Sequence, residues 1–176
     1  KQIGYAGVEI RYPQLPLETP GNHLAYARQQ LQKIGVTFVF GTVEGIGDEK
    51  MLDRAIRTMS NNLQAGAQFT KVTVAKPEHI PAAQRLADVA TSRGGKLILQ
   101  IHAGTLHDTV PHALELLKKI DRPSVGLAYE PCHLVFANDP EYARAPEKLG
   151  KHLFTVLVQN YKLAPADAPA AQRANI

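Results

Sequence analysis

The chain has 176 residues, of which 44% are hydrophobic, and a formal net charge of +4. This is enough apolar material for one globular core, and the absence of a long apolar run or a signal segment predicts a soluble protein without a membrane span. The basic residues are scattered, and the densest pair, Lys118 and Lys119, ends a predicted helix, so no nucleic-acid-binding face is indicated. The single cysteine, Cys132, cannot form an internal disulfide, which fits a reducing, cytoplasmic compartment.

Strand-like and helix-like segments alternate along the chain. The βα units repeat at roughly 30 residues, the length of one βαβ unit, so we expect a parallel sheet with helices packed outside it. The predicted strands are Tyr5–Arg11, Val36–Thr42, Gln68–Ala75, Lys96–His102, Val125–Glu130 and Leu153–Gln159. The predicted helices run from an Asn22 cap through Ile34, from an Asp48 cap to a closing Gly66, over Ile80–Ser92 and Val110–Ile120, and over Pro140–Gly150 with an interruption at Pro146.

Two architectures fit this alternation: an open doubly wound sheet and a closed eightfold barrel. Central strands of a doubly wound sheet are apolar on both faces, whereas here one face is aliphatic and the other small or polar. No Gly-x-Gly-x-x-Gly turn follows a predicted strand, so the dinucleotide-binding fingerprint is missing. The sequence therefore predicts an α/β fold of the (β/α)8 TIM-barrel type. The small or polar face comprises Gly7, Glu9, Arg11, Lys71, Thr73, Gln100, His102, Gly126, Ala128, Glu130, Thr155, Leu157 and Gln159.

Six strands are too few to close an eight-stranded barrel. The chain starts in what looks like the end of a helix and stops in an Ala/Pro-rich stretch, so we expect a fragment that holds strands two to seven. A genuinely smaller open sheet is the alternative. On the first interpretation, residues 1–163 form a partial barrel domain and residues 164–176 form an Ala/Pro-rich loop or truncated tail.

Polar side chains gather at the carboxyl ends of two predicted strands. Gln100 and His102 end one strand, and Glu130, followed closely by His133, ends the next. In a parallel barrel these ends face the same mouth, where substrates bind. We therefore expect the functional site there.

Three segments of this chain resemble the xylose isomerase-like barrel family. They are Gly4–Arg11, Ile101–Thr109, and Ile120–Leu127 leading into Glu130-Pro131-x-His133. That family includes isomerases and epimerases of sugars and sugar phosphates, and the apurinic endonucleases of family 2. The resemblance implies a barrel and, most often, aldose–ketose isomerisation or epimerisation of a carbohydrate.

The resemblance also implies a divalent cation held by strand ends. The family's strand-five glutamate position falls on Gln100, its strand-six aspartate position on Glu130, and its substrate-contacting histidine on His133. Leu157 or Gln159 stands at the strand-seven histidine position, and the strand-eight glutamate lies beyond this chain. Gln100 and Glu130 are thus the implied ligands, and oxygen donors favour Mg²⁺ or Mn²⁺ over Zn²⁺.

The remaining polar residues each have a functional and a structural interpretation. Glu9 and Arg11 either contact substrate or pair with neighbouring charges, and Lys71 either binds a phosphate or oxyanion or neutralises Glu9 or Glu130. His102 either contacts substrate or bonds a loop carbonyl. After the predicted strand Lys96–His102, His107 and Asp108 are expected to start a helix, with Asp108 or Thr109 as its cap. Cys132 is interpreted as a structural residue.

Three functions are compatible with these residues. The first is a sugar or sugar-phosphate isomerase or epimerase, with Glu130 and His133 as catalytic residues and Glu9, Arg11, Lys71, His102 and His133 as substrate-binding residues. The second is a catalytically degenerate carbohydrate-binding barrel without the metal site. An apurinic endonuclease comes last, since it needs more His and carboxylate ligands than the strand ends offer. The expected partner is a small sugar, not a nucleic acid or a membrane, and the oligomeric state stays open, a homo-oligomer included.

Overall fold

The computed structural model describes residues 4–11 and 14–159, and six parallel strands form one sheet. The strands lie side by side in chain order: β1 (Gly7–Ile10), β2 (Thr37–Thr42), β3 (Phe69–Lys71), β4 (Lys96–Gln100), β5 (Val125–Tyr129) and β6 (Leu153–Val156). A doubly wound sheet reverses its strand order at a switch point, and this sheet does not. The predicted TIM-barrel type is therefore confirmed, as an incomplete barrel of six strands.

Helices cover the outer face of the sheet. They are α1 (Gly21–Lys33), α2 (Glu49–Gln64), α3 (Ile80–Ser92), α4 (Val110–Ile120), α5 (Pro131–Phe136) and α6 (Ala145–Leu149), and 3₁₀ turns lie at Pro77–His79, Tyr142–Arg144 and Gly150–His152. Within the described residues, none of these helices is both long and apolar enough to cross a membrane.

The main core lies between the sheet and its helices. Leu97, Leu99 and Leu127 point from β4 and β5 into this layer and are completely buried, together with Met59 of α2 and Leu86 of α3. Burial of one such side chain stabilises the fold by about 1.5–3 kcal/mol relative to exposure. The aliphatic face predicted from the alternation is thus the outer face of the barrel wall.

A smaller apolar cluster on the inner face shows that the sheet curls. Phe40, Ile98 and Ala128 are buried there. Phe69 of β3 and Phe154 of β6 have ring centroids only 5.9 Å apart, although β4 and β5 lie between them. In a flat sheet these strands would be roughly 14 Å apart, three spacings of about 4.8 Å. The curl brings the strand ends toward one mouth.

Gly126 makes room for this inner packing. A Cβ on Gly126 would lie 2.3 Å from Cγ of Phe154, which is far inside van der Waals contact. The ring of Phe154 therefore lies directly over the backbone of the neighbouring strand. The small residue predicted for the inner face has a packing role here.

The helix starts were partly mispredicted. α1 begins at Gly21 after Pro20, and Asn22 caps nothing, since no side-chain hydrogen bond is made at that N-terminus. Asp48 does cap α2 by accepting the Met51 N–H at 2.7 Å. For α4 the capping residue is Thr109, which accepts the His112 N–H at 3.4 Å.

The region between β5 and β6 also differs from prediction. The short helix α5 was not predicted, although the proline that follows the strand, Pro131, is of a type favoured at the first position of a helix. Pro146 does not interrupt the next helix; it lies in the first turn of α6, where a missing N–H costs little. The predicted boundary at residue 163 lies outside the described residues and stays a prediction.

His107 explains why β3 is shorter than predicted and corrects a second expectation. The strand was predicted to reach Ala75, but the N–H of Val74 donates to Nε2 of His107 at 3.3 Å instead of to a strand carbonyl. His107 is therefore not a helix start: it is buried in the loop after β4 and ties that loop to the end of β3. Burial, chiefly, lowers the pKa of His107 to about 4.

We predict that His107 makes stability sensitive to acid. Its pKa is about 4 in the fold and about 6.5 in the unfolded chain, so between these values only the unfolded chain binds the proton. The free energy of unfolding should be highest above pH 6.5 and should decrease by up to about 3 kcal/mol as the pH falls to 4. Urea unfolding of wild type and His107→Gln across this range measures the difference in slope.

The matched control is His23→Gln, because His23 is an exposed histidine on α1. This variant should keep the wild-type slope. Parallel curves for wild type and His107→Gln would show that His107 does not carry the effect.

Candidate active site at the strand ends

A buried carboxylate lies at the carboxyl end of β5. Glu130 is 4% exposed and immediately precedes α5. Its Oε2 accepts a hydrogen bond from Nε2 of Gln100, which ends the neighbouring strand β4. Its Oε1 accepts from the thiol of Cys132 at 3.4 Å. Two donors from two elements thus fix the orientation of this carboxylate.

Two imidazoles stack beside that carboxylate. The ring centroids of His102 and His133 are 3.7 Å apart with a 32° interplanar angle. His133 lies in the first turn of α5, and its Nε2 is 3.7 Å from Oε2 of Glu130. Nδ1 of His102 lies 2.8 Å from the carbonyl oxygen of Ala103 and donates a hydrogen bond to it, because a carbonyl oxygen only accepts.

The environment favours the neutral form of His133. Burial is the main cause that lowers its pKa, and the charge of His102 adds to it. Glu130 opposes the shift, and Lys71 reinforces it. His133 is therefore an uncharged hydrogen-bonding group near neutral pH.

A second charged group lies on the β1–β3 side of the mouth. Oε1 of Glu9 is 3.3 Å from Nε of Arg11 and 3.4 Å from Nζ of Lys71. Lys71 is the buried member, with 12% of its side chain exposed, and its ammonium lies 5.3 Å from the ring centroid of Phe40. The effect of Lys71 on the pKa of His133 links this group electrostatically to the carboxylate site.

The structure places the sequence-predicted residues in two clusters at one mouth. Glu130, Gln100, His102 and His133 form the first, and Glu9, Lys71 and Arg11 form the second. Arg11 is the most peripheral, with 67% of its side chain exposed. Of the two residues that could stand at the strand-seven position, Leu157 packs against the inner apolar cluster and has no ligand atom, and Gln159 is exposed.

Sequence reasoning missed the position of Cys132. The thiol is 1% exposed and donates to Glu130, and burial and that carboxylate raise its pKa to about 11. Glu130, Cys132 and His133 present ligand atoms that all lie within 4.8 Å of one another. The spacing Glu-x-Cys-His was visible in the sequence, but only the helical turn of α5 brings the three groups together.

Comparison with known proteins identifies the fold family. The family model described as xylose isomerase-like TIM barrel matches residues 1–170. No curated protein matches the sequence. The solved structures compared below share less than 25% identity with this chain, so they show the fold alone.

Three of these structures illustrate the range of the fold. The probable 3-DHS dehydratase AsbF of Bacillus anthracis matches with a TM-score of 0.75 and 13% identity over 88% of this chain and 63% of its own. D-psicose 3-epimerase, solved in the presence of D-fructose, matches with a TM-score of 0.77 and 14% identity over 96% of this chain and 68% of its own. IOLI protein with a bound zinc atom matches with a TM-score of 0.69 and 18% identity over 89% of this chain and 64% of its own.

Against AsbF and IOLI the chain spans less than two thirds of the matched protein's length, in agreement with an incomplete barrel. Fold, strand order and family model agree. The chain belongs to the xylose isomerase-like TIM barrel family.

Proposed function

We propose that this chain carries the main part of the active site of a sugar or sugar-phosphate isomerase or epimerase. The observation that carries the proposal is the buried carboxylate of Glu130, held by Gln100 beside a neutral His133 at the carboxyl end of the strands. Sugar epimerases among the structural matches support the same class of reaction.

Glu130 is the proposed base. It takes the proton from the carbon next to the substrate carbonyl, and the electron pair of that C–H bond forms the enediolate. Return of that proton by Glu130 to the neighbouring carbon on the same face, with transfer of the hydroxyl proton between the two oxygens, gives isomerisation, whereas epimerisation requires a second group that donates a proton to the opposite face. The hydrogen bonds from Gln100 and Cys132 hold the carboxylate in one orientation throughout.

His133 is the proposed partner for a substrate hydroxyl. An uncharged imidazole can donate or accept one hydrogen bond, and the pKa of this one is lowered chiefly by burial. Stacking against His102 fixes its ring plane. His133 therefore orients a sugar oxygen without adding positive charge beside the base.

Lys71 and Arg11 are the proposed binding groups for an oxyanion or a phosphate. One carboxylate, Glu9, faces both of them, so the three side chains carry a net charge of +1. Lys71 is largely shielded from solvent, where its charge is less screened than at a free surface. Glu9 positions the cations and contacts substrate through any oxygen that remains free.

The resemblance implies Mn²⁺ or Mg²⁺, which favour several oxygen ligands. Within the described residues, the strand-end oxygen donors at the implied positions are Glu130 and Gln100. Gln100 turns its amide nitrogen toward Glu130, and Leu157 offers no donor atom. The described residues thus do not assemble a hard-cation site, and the proton transfer above relies on side chains alone.

A degenerate carbohydrate-binding barrel is the second candidate. The apolar Leu157 and the neutral Gln100 at two implied ligand positions favour it. The polar mouth would then bind a sugar without turning it over. Binding measured together with proton exchange distinguishes the two functions.

We predict that Glu130→Gln abolishes proton exchange. With D-fructose in D₂O, the full wild-type chain should incorporate deuterium next to the carbonyl, and the variant should be slower by at least about 10²-fold, the usual contribution of a general base. The melting temperature should change little, because an amide of the same shape keeps one acceptor oxygen, and its NH2 can donate instead to a flipped Gln100 amide or to the Cys132 sulfur. NMR follows the exchange, and differential scanning fluorimetry the melting.

Glu115→Gln is the control, since Glu115 is exposed on α4 and pairs with Lys119 away from the mouth. It should exchange at the wild-type rate. Wild-type exchange in Glu130→Gln would remove Glu130 from the mechanism. Sugar binding by calorimetry without exchange in wild type would favour the degenerate barrel.

We predict that Lys71→Gln discriminates between charged and neutral substrates. The substitution leaves Glu9 paired with Arg11 and reduces the charge of the group from +1 to zero. KM for a ketose phosphate should rise at least about tenfold, equal to roughly 1.4 kcal/mol, while KM for the unphosphorylated ketose changes little. Lys118→Gln on the exposed end of α4 is the control, and equal effects on both substrates would refute a phosphate role for Lys71.

A further inference from the structure

The ligand types around Glu130 are wrong for a hard cation but right for a softer one. A carboxylate, a thiol and an imidazole converge there, from Glu130, Cys132 and His133. We propose that these three side chains bind one divalent cation of the Zn²⁺ or Co²⁺ type. The inference deepens the proposed function because it shares Glu130, but cation binding itself does not depend on turnover.

The spacing of the donor atoms fits a four-coordinate cation. Two ligands at about 2.0–2.3 Å from one zinc ion in tetrahedral geometry are roughly 3.3–3.5 Å apart. The Cys132 sulfur lies 3.4 Å from Oε1 of Glu130, and Nε2 of His133 lies 3.7 Å from Oε2. Small rotations of the side chains therefore suffice to bring all three donors onto one ion.

The two ring nitrogens of His133 differ in their surroundings. Its Nδ1 is buried with no hydrogen-bond partner in the described part of the chain. Its Nε2 is too far from Glu130 for a hydrogen bond at 3.7 Å. Nε2 is the nitrogen that faces Glu130 and a bound cation, and Nδ1, on the other side of the ring, is the atom that would donate to an outer partner in a metal site.

The neighbours of the trio are arranged as supports for metal ligands. Gln100 donates to the Glu130 carboxylate, and His102 stacks on the ring of His133. A hydrogen bond to a ligating carboxylate, such as the one from Gln100, orients it and is typical of metal sites. This gives Gln100 a role that a glutamate would not fill, since the amide donates a hydrogen bond to the ligand and adds no second negative charge.

Charge balance also favours this site. On binding, the S–H bond of Cys132 breaks, its proton goes to solvent, and the sulfur electron pair binds the cation. One thiolate, one carboxylate and a neutral imidazole then offset the two positive charges, so a largely buried site becomes neutral. Three protein ligands leave a fourth position for water or a substrate oxygen, as in catalytic zinc sites.

Titration of the full chain with Co²⁺ tests this site. Cys132 is the sole cysteine of the sequence, so a thiolate-to-cobalt charge-transfer band in the near ultraviolet can arise only from it. We expect that band, with visible bands of four-coordinate cobalt, to saturate at one equivalent and to disappear when Zn²⁺ is added. Cys132→Ser and Cys132→Ala should both lose the band and bind Zn²⁺ at least tenfold more weakly. His133→Gln should also bind Zn²⁺ at least tenfold more weakly.

His112→Gln is the matched control, because this exposed histidine lies on α4 and should leave the titration unchanged. Circular dichroism establishes that each variant is folded. No stoichiometric binding, cobalt bound without the thiolate band, or Mn²⁺ bound more tightly than Zn²⁺ would overturn the proposal. A wild-type chain that shows the cobalt spectrum but no deuterium exchange would refute the isomerase proposal alone. A wild-type chain that exchanges deuterium but binds no cobalt would refute the cation site alone.

Discussion

The curl of the parallel sheet is the constraint on which the site depends. Phe69 and Phe154 pack across the inner face although two strands separate them, and Gly126 leaves the space for that contact. Without this packing, the ends of β1 and β5 would lie far apart along a flat edge. The apolar inner layer therefore determines that chemistry from separate βα units meets at one mouth.

Above this layer the mouth is divided by charge. The Glu9 group carries a net positive charge on the β1–β3 side, and Glu130 carries a negative charge on the β4–β5 side. Two neutral groups, the His133 imidazole and the Gln100 amide, lie beside Glu130 on the β4–β5 side. This arrangement suits a substrate with an oxyanion or phosphate at one end and an acidic C–H bond at the other. A cation on Glu130, Cys132 and His133 would neutralise the β4–β5 side and place a Lewis acid next to the substrate oxygens.

The sequence predicted most elements well where local signals are strong. The bounds of α3 and α4 were predicted to the residue, since apolar spacing, proline starts and following polar residues agree there. It failed where tertiary contacts replaced local ones. Val74, which lies beyond the end of β3, donates its N–H to the side chain of His107 rather than to a neighbouring strand, and no periodicity in residues 68–75 could indicate that.

Pattern and composition alone determined the βα alternation, the aliphatic outer face and the set of polar residues at the strand ends, because these depend on side-chain period and on the direction of parallel strands. Only the tertiary structure decided that Lys71 pairs with Glu9, that Leu157 packs into the inner apolar cluster, and that Cys132 reaches Glu130. Such contacts depend on the curl of the sheet and on the single turn of α5, and these are set by packing between elements distant in sequence. A linear pattern carries the identity of a ligand but not the distance between two of them.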